Sequence, residues 1–475
     1  MSTSERYEKL FAEAGLEGLK MTEVKNNHQT KQNKIAKLLD SQSATRFRQF
    51  FLKLHVYQQA QIITELDFQQ RQRLYRYLTA HEVADAFNEL EDKAIGAKYF
   101  AEMIPKYAAK VISAMYTDNV VDILANSRQE DLGRYFHFLP DQKAAEIREM
   151  LHYQDKTAGA IMATEFVAIL SNQTVKSAMH VLKIQAKQAE TIYYVYVVDQ
   201  REQLIGIVTL RDLLTASDNA LISEIMSPQV ISTRVDTDQE EVAQTIRDYN
   251  FLALPVVDFD NKLIGIITVD DVIDVIDEES AEDYAGLAGV DIDENPDNPV
   301  MAAIKRLPWL ITLLFLGMST ASLISHYEDL VSEASILAVF ISSITGTAGN
   351  AGTQSLAVAV RRLADKDADH RGLLKIIFSE LLTGLLIGLI TGTTIMVIVG
   401  IWKQNFSLGL VIGLAMMCAI IVANLAGALI PMLMNRLGVD PAVASGPFIS
   451  TLSDLTSVLI YFNIAQIFLR FILKQ

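Results

Sequence analysis

From about Lys31 to Leu151, apolar residues recur three and four positions apart with few β-branched runs, a spacing that predicts short amphipathic helices throughout. Tyr57–Leu66, His81–Leu90 and Asp118–Ser127 each read as one helix of a stacked pair, predicting an α-helical repeat domain over 31–155 behind a polar, mobile tail over 1–30. The period then changes. Val197–Leu214, VVDQREQLIGIVTLRDLL, aligns without gaps with Val256–Ile273, VVDFDNKLIGIITVDDVI, at nine of eighteen positions. Each copy reads as an apolar strand, a polar turn, a second strand and a helix opening with Thr-x-x-Asp. Upstream parts begin near Met162 and Met226, so a tandem β-α-β-β-α pair is expected, with copy one over 156–218 and copy two over 219–276.

Beyond residue 300 the pattern loses its polar positions. Leu307–Ser325, Ala334–Val360 and Gln404–Asn435 are uncharged, Ile376–Trp402 holds only Glu380, and Pro441–Leu469 holds only Asp454. A membrane helix needs about 20 mainly apolar residues, so five spans are expected within 301–475. Lys305, Arg306, Arg361, Arg362, Lys366, Arg371, Lys375 and Arg436 lie on one side of these spans, while Glu328, Asp329, Glu333 and Lys403 lie on the other. Basic loops stay in the cytoplasm. The long N-terminal part is therefore expected inside and the C-terminus outside.

Charge divides the chain at the same point. Residues 1–299 carry 30 Lys and Arg against 48 Asp and Glu, and residues 300–475 carry 11 against 9. An acidic soluble part argues against nucleic-acid binding, which needs a basic face. The single cysteine, Cys418, excludes intramolecular disulfides and cysteine-rich zinc sites. The first residues lack an apolar leader core, which leaves the soluble part expected in the cytoplasm.

The acids concentrate between the two parts. Asp270–Val300 contains twelve Asp and Glu and no Lys or Arg, and Asp271, Asp274, Glu278 and Glu282 share one helix face. Such a face, expected on a connecting helix over 277–300, must be solvated, paired or bridged by cations. Further acids are Asp118 and Asp122 on one helical face, Asp238 and Glu240 before a helix, and Asp440 at the membrane edge. A surplus of carboxylates with one thiol suits hard cations such as Mg²⁺, Ca²⁺ or Mn²⁺. In the last apolar run Gly446, Ser450 and Asp454 recur every four residues and Ser457 continues the stripe, a small, hydroxylic face that reads as a pore lining or as close helix packing. Asn424 and Pro431 are expected to interrupt the fourth span, and Glu380 is within reach of Arg361 or Arg362.

The repeated strand–turn–strand–Thr-x-x-Asp ending resembles a cystathionine-β-synthase (CBS) domain pair. Such pairs often bind adenine nucleotides such as ATP, which makes Tyr194, Arg211 and Asp212 candidate contacts; the alternative is that Asp212 and Asp271 only cap helices. The whole order of domains, with GNAGTQ at Gly349–Gln354, NLAG at Asn424–Gly427, RLGVDP at Arg436–Pro441 and SGPFISTLSDLTSVLIYF at Ser445–Phe462, resembles the MgtE family of magnesium transporters and channels. The resemblance implies a multidomain membrane protein with an α-helical repeat N-domain, an α/β tandem CBS pair, a connecting helix and a five-span α-helical membrane domain. It implies a homodimer in the plasma membrane, with an ion path between subunits along Asp454, Ser450, Gly446, Thr451 and Asn424. It also implies cytosolic Mg²⁺-sensing acids at Asp118, Asp122, Asp238, Glu240, Asp271, Asp274, Glu279, Glu282, Asp283 and Asp440, which close the path when occupied. Asn250, Ala348 and Gly446 depart from residues common in the family. Competing readings are a Co²⁺, Mn²⁺ or Ca²⁺ carrier and a non-transporting membrane sensor; a membrane enzyme lacks any nucleophile–base constellation.

Overall fold

The computed structural model describes residues 31–40, 43–290, 299–363, 373–437, 441 and 444–472. The tail over 1–30 and Asp440 lie outside the described residues. The chain divides into two units, Met1–Ile276 and Asp277–Gln475.

In the first unit, residues 31–40 are helical and nine helices of eight to ten residues follow, from α1 (Ala44–Phe51) to α9 (Asp141–Met150). Short turns opened by capping side chains explain the repeat. Asp67 and Thr79 each close a capping box, with Gln70 and Glu82 respectively, satisfying helix-end N–H groups that would otherwise lack partners. Each helix then buries one apolar stripe, and Phe47, Phe51, Phe87 and Phe100 are fully buried in the shared core.

The pair of α/β copies follows. A short helix α10 (Ala158–Ile161) precedes β1 (Ala168–Leu170), α11 (Val175–Gln185), β2 (Tyr194–Val198), β3 (Leu204–Thr209), α12 (Leu210–Thr215) and α13 (Ile222–Ile225). The second copy is β4 (Thr233–Arg234), α14 (Gln239–Tyr249), β5 (Ala253–Val257), β6 (Leu263–Thr268) and α15 (Val269–Ala288). Each three-stranded sheet pairs its first two strands in parallel and its last two antiparallel. The copies cross over. Ile207 exchanges backbone hydrogen bonds with Ser227 from the start of copy two, and Ile266 with Ala163 from the start of copy one. The repeated Ile-Gly-Ile explains how: a Cβ on Gly206 would lie 2.6 Å from Met226 Sδ, and one on Gly265 would lie 2.6 Å from Met162 Sδ. The helix α15 begins at Val269, inside the expected second copy, so the copy's last helix and the acidic connector as far as Ala288 are one unbroken 20-residue helix, and residues 291–298 of the connector lie outside the described residues.

The second unit continues with α16 (Pro299–His326), α17 (Glu328–Glu333), a 3-10 turn (Ser335–Phe340), α18 (Ile341–Leu363), α19 (Leu373–Trp402), α20 (Phe406–Arg436) and α21 (Gly446–Ile472). Four of these helices, α16, α19, α20 and α21, are long and apolar enough to cross a membrane. The remaining expected run, Ala334–Val360, is helical as α18 but is not apolar enough to be counted with them. The run Ala334–Val360 is split by the 3-10 turn, and α18 is 23 residues long but carries Ser, Thr, Asn and Gln along its length. Its small residues pack it among the other helices instead. A Cβ on Gly427 of α20 would lie 2.2 Å from Gly352 O of α18, so the two backbones approach as closely as glycine permits. One correction concerns α20, which runs without interruption through Asn424 and Pro431.

Gly427→Ala should therefore force α18 and α20 apart and destabilise the second unit by about 1–3 kcal/mol, as over-packing does. Gly317→Ala, where an added Cβ meets nothing within 4 Å, should stay within about 0.5 kcal/mol of the parent. Thermal unfolding of the detergent-solubilised proteins checks both; equal midpoints would contradict the close approach.

Candidate cation site and ion path

Three carboxylates far apart in the sequence converge in the first unit. Asp118 lies in the first turn of α7 (Thr117–Ala125), Asp271 lies in the first turn of α15, and Glu190 lies between α11 and β2. One oxygen of each lies within 4.8 Å of the others. Asp118 Oδ1 and Glu190 Oε2 are buried without a hydrogen-bond partner. Asp118 Oδ2 accepts from Asn119 Nδ2 at 3.2 Å, and Glu190 Oε1 accepts a long 3.4 Å bond from the Thr268 hydroxyl. Asp271 Oδ2 caps its helix, accepting from the Thr268 N–H at 3.1 Å and from the Thr268 hydroxyl. The nearby ammonium of Lys143 is engaged by Glu165 and by the Thr117 hydroxyl, and so is already neutralised.

The electrostatics follow from burial. Desolvation pushes the Glu190 carboxyl up to about 9, helped by the charges of Asp118 and Asp271. Burial first and Asp271 second raise Asp118, and burial raises Asp271 against the opposing hydrogen bonds from Thr268. Three such groups either hold protons or share a cation. The donors are all oxygens and two of those oxygens lack any partner, which fits a hard divalent ion bound partly through water.

Among the described residues this is the one converging group of three. It contains two of the expected acids, Asp118 and Asp271, and one that no sequence pattern marked, Glu190. The other candidates stand apart from it. Asp122 is exposed one turn beyond Asp118, and Asp238 is exposed and caps α14, accepting from Glu240 N at 2.8 Å. Along α15, Asp274 and Asp283 are exposed while Glu279 and Glu282 are half-buried. At the α/β copies, Tyr194 pairs with Thr209 across β2 and β3. Asp212 closes a capping box with Thr209, with bonds of 2.6 to 3.2 Å, and Arg211 is exposed.

In the second unit Asp454 is half-buried on α21, with Ser450 and Thr451 half-buried and Gly446 buried on the same helix. Pro447 opens that helix at a position whose N–H would be unsatisfied in any case. Thr451 turns its hydroxyl back to Pro447 O at 2.8 Å. Gly446 sits against Leu287 O of α15, at 3.1 Å from an added Cβ, and Gly349 of α18 faces Ser450. Ser453 and Ser457 are buried with unpartnered hydroxyls. Asn424 is buried, and its amide nitrogen donates to the Glu380 carboxylate at 3.0 Å and to Glu380 O at 3.1 Å. Glu380 also meets Arg362 at 2.9 Å, one of the two partners the sequence offered, and Ser355, which the sequence did not mark, at 3.1 Å.

Comparison with known proteins completes the assignment. Residues 341–464 match the divalent cation transporter family MgtE, 54–156 match the MgtE intracellular N domain, and 158–219 and 222–278 match CBS domains. The chain is 61% identical, over 94% of its own length and 99% of the relative's, to the magnesium transporter MgtE of Enterococcus faecalis. The crystal structure of the soluble part of a magnesium transporter superposes with a TM-score of 0.52 at 51% identity, covering 53% of this chain and 99% of that one. A cytosolic domain of the Mg²⁺ channel MgtE in complex with ATP gives a TM-score of 0.47 at 34% identity, covering 50% and 97%. A multi-pass membrane protein with an intracellular N-terminal domain, and a transporter rather than an enzyme, this chain belongs to the MgtE family of magnesium transporters.

Proposed function

We propose that the chain imports Mg²⁺ across the plasma membrane as a homodimer, along a path between subunits that passes Asp454, and that internal Mg²⁺ closes this path. The observation that carries the gating half is the Asp118–Glu190–Asp271 group, with two buried oxygens left without partners. At high internal Mg²⁺ an ion replaces the protons there and ties α7, the segment before β2 and the start of α15 together. At low Mg²⁺ these elements are released. Asp122, Asp238, Glu240, Asp274, Glu279, Glu282 and Asp283 supply further, more exposed acids for the same response, and Asp440, outside the described residues, is a further candidate.

The transport half rests on Asp454. A carboxylate within an apolar span costs several kcal/mol on insertion scales and is retained where it faces a pathway. Mg²⁺ keeps several of its waters, so Asp454, Ser450 and Thr451 offset its charge without stripping them. The polar helix α18 counts as the fifth span in this reading, sheltered by its neighbours, and puts the C-terminus outside. Oxygen-only donors favour Mg²⁺ over softer Co²⁺.

An adenine nucleotide at the CBS pair is a second reading for that region, supported by the β2–β3 register that sets Tyr194 beside the segment carrying Arg211 and Asp212. ATP should raise the unfolding midpoint of the purified chain and should not do so for Arg211→Ala; equal shifts in both would remove Arg211 from the site.

Growth of cells lacking their own Mg²⁺ importers, in low Mg²⁺, tests the ion path. The parent should rescue them, and Asp454→Ala at equal membrane abundance should reduce Mg²⁺ uptake at least tenfold. Rescue by both proteins would remove Asp454 from the path, and rescue by neither would favour another ion.

The cytosolic group has a pH test. Its raised carboxyls contribute stability that is fully present below the ordinary carboxylate value of about 4 and is lost as pH rises toward about 9. Mg²⁺ must displace those protons, so its affinity rises over the same window. At a hundredfold excess over Kd, bound Mg²⁺ should stabilise the first unit by about 2.7 kcal/mol. At one fixed Mg²⁺ concentration the increment should be larger at pH 8.5 than at pH 6, and Asp118→Asn with Asp271→Asn should abolish it. A pH-independent increment in the parent would place Mg²⁺ elsewhere.

A further inference from the structure

Glu380 is a buried carboxylate in the second unit that the transport reading leaves without a task. It is 5% exposed, and three side chains from two other helices converge on it. Arg362 and Ser355 both come from α18, seven residues and thus about two turns apart on one face, and they bond opposite carboxylate oxygens at 2.9 and 3.1 Å. Asn424 of α20 adds bonds to the carboxylate and to the backbone carbonyl of Glu380. One carboxylate on α19 therefore joins α18 to α20.

The height at which α18 is held matters because of what lies one turn away. Gly352 of α18 is enclosed on two sides: an added Cβ would lie 3.2 Å from Ala423 O of α20 and 3.0 Å from Ser453 Oγ of α21. One turn before it, Gly349 faces Ser450, which precedes Asp454 by one turn of α21. A shift of α18 by one residue, about 1.5 Å, would break the carboxylate bonds and drive side chains into these glycine contacts. We propose that Glu380 is a positioning residue for the ion path: its carboxylate fixes the register of α18 against α21 and so sets how the Gly446–Ser450–Asp454 face is presented. The transport arm of the test rests on the function proposed above; the structural arm does not.

The structural arm uses a cross-link. A Cβ on Gly349 would lie 3.6 Å from Ser450 Cβ, within the Cβ–Cβ range of about 3.5–4.5 Å for a disulfide. In the full-length chain carrying Cys418→Ala, the pair Gly349→Cys and Ser450→Cys should lose both thiols on mild oxidation, read as loss of maleimide-polyethylene glycol labelling. Adding Glu380→Ala should slow that loss at least fivefold, and Glu380→Gln should give an intermediate rate. An unchanged rate with Glu380→Ala overturns the proposal, and so does failure of the parent pair to cross-link. Where Glu380→Ala does not reach the membrane, a cycle of Ser355→Ala and Glu380→Gln on the cross-linking rate decides: coupled effects support the proposal and additive ones overturn it.

In the flux arm, without the cysteine pair, Glu380→Ala should shift the Mg²⁺ concentration for half-maximal uptake at least tenfold at matched membrane abundance. A fall in maximal uptake alone, with half-saturation unchanged, would mark a merely structural residue and overturn the proposal. If the parent itself carries no Mg²⁺, the transport reading fails while the cross-linking rates still decide the role of Glu380.

Discussion

A carboxylate removed from water must find a proton, a fixed cation or a mobile one. Charge pairing in this chain is arranged around that constraint. Its first 299 residues hold 48 acids and only 30 Lys and Arg, so fixed cations are in deficit where acids are densest. Arg71 and Glu102, both largely buried, pair at 2.7 Å, and Lys143 pairs with Glu165. Asp118, Glu190 and Asp271 receive no such partner, and burial raises all three. A fixed Lys there would make the group permanent; its omission leaves the charge to be met by whatever the solution supplies.

The second unit answers the same constraint differently. Glu380 is as buried as any acid among the described residues, but Arg362, Ser355 and Asn424 satisfy it from within. Asp454 has no charged residue near it in sequence and stays half-buried. One carboxylate is thus satisfied by side chains of neighbouring helices, and the other has no charged residue near it in sequence to pair with. A buried pair adds little net stability over an apolar replacement, so fixing helix register accounts for Glu380 better than stability does.

How much of this was legible in the sequence depended on whether the determinant was local. The repeated strand–turn–strand endings and the Thr-x-x-Asp caps are local, and both appear where the pattern placed them, with Thr209 bonded to Asp212 and Thr268 to Asp271. The short helices of the N-domain were legible for the same reason: α2 (Val56–Glu65), α4 (Ala80–Asn88) and α7 fall on the three segments singled out. Glu190 was not legible, since it sits alone in a connector and gains meaning only when folding brings it to Asp118 and Asp271. Asn424, a polar residue in an apolar run, reads from the sequence equally as lining or as glue, and its bonds to Glu380 were not legible there. The helix α18 lowers a hydropathy count because Ser, Thr, Asn and Gln recur from Ser342 to Ser355, while its neighbours exclude solvent from Gly349 and Gly352.

The continuity of α15 places the last helix of the second CBS copy and the acidic residues that follow it on one element. It runs from Val269 to Ala288 without a break, about 30 Å of helix, and the boundary between the two units falls within it, after Ile276. Asp271 is in its first turn, and the Thr268 cap ties that turn to β6. At its other end Leu287 O lies against Gly446, the first residue of the helix that carries Asp454. Asp271, which converges with Asp118 and Glu190, and the acids that follow it therefore stand on one continuous element whose backbone hydrogen bonds resist bending.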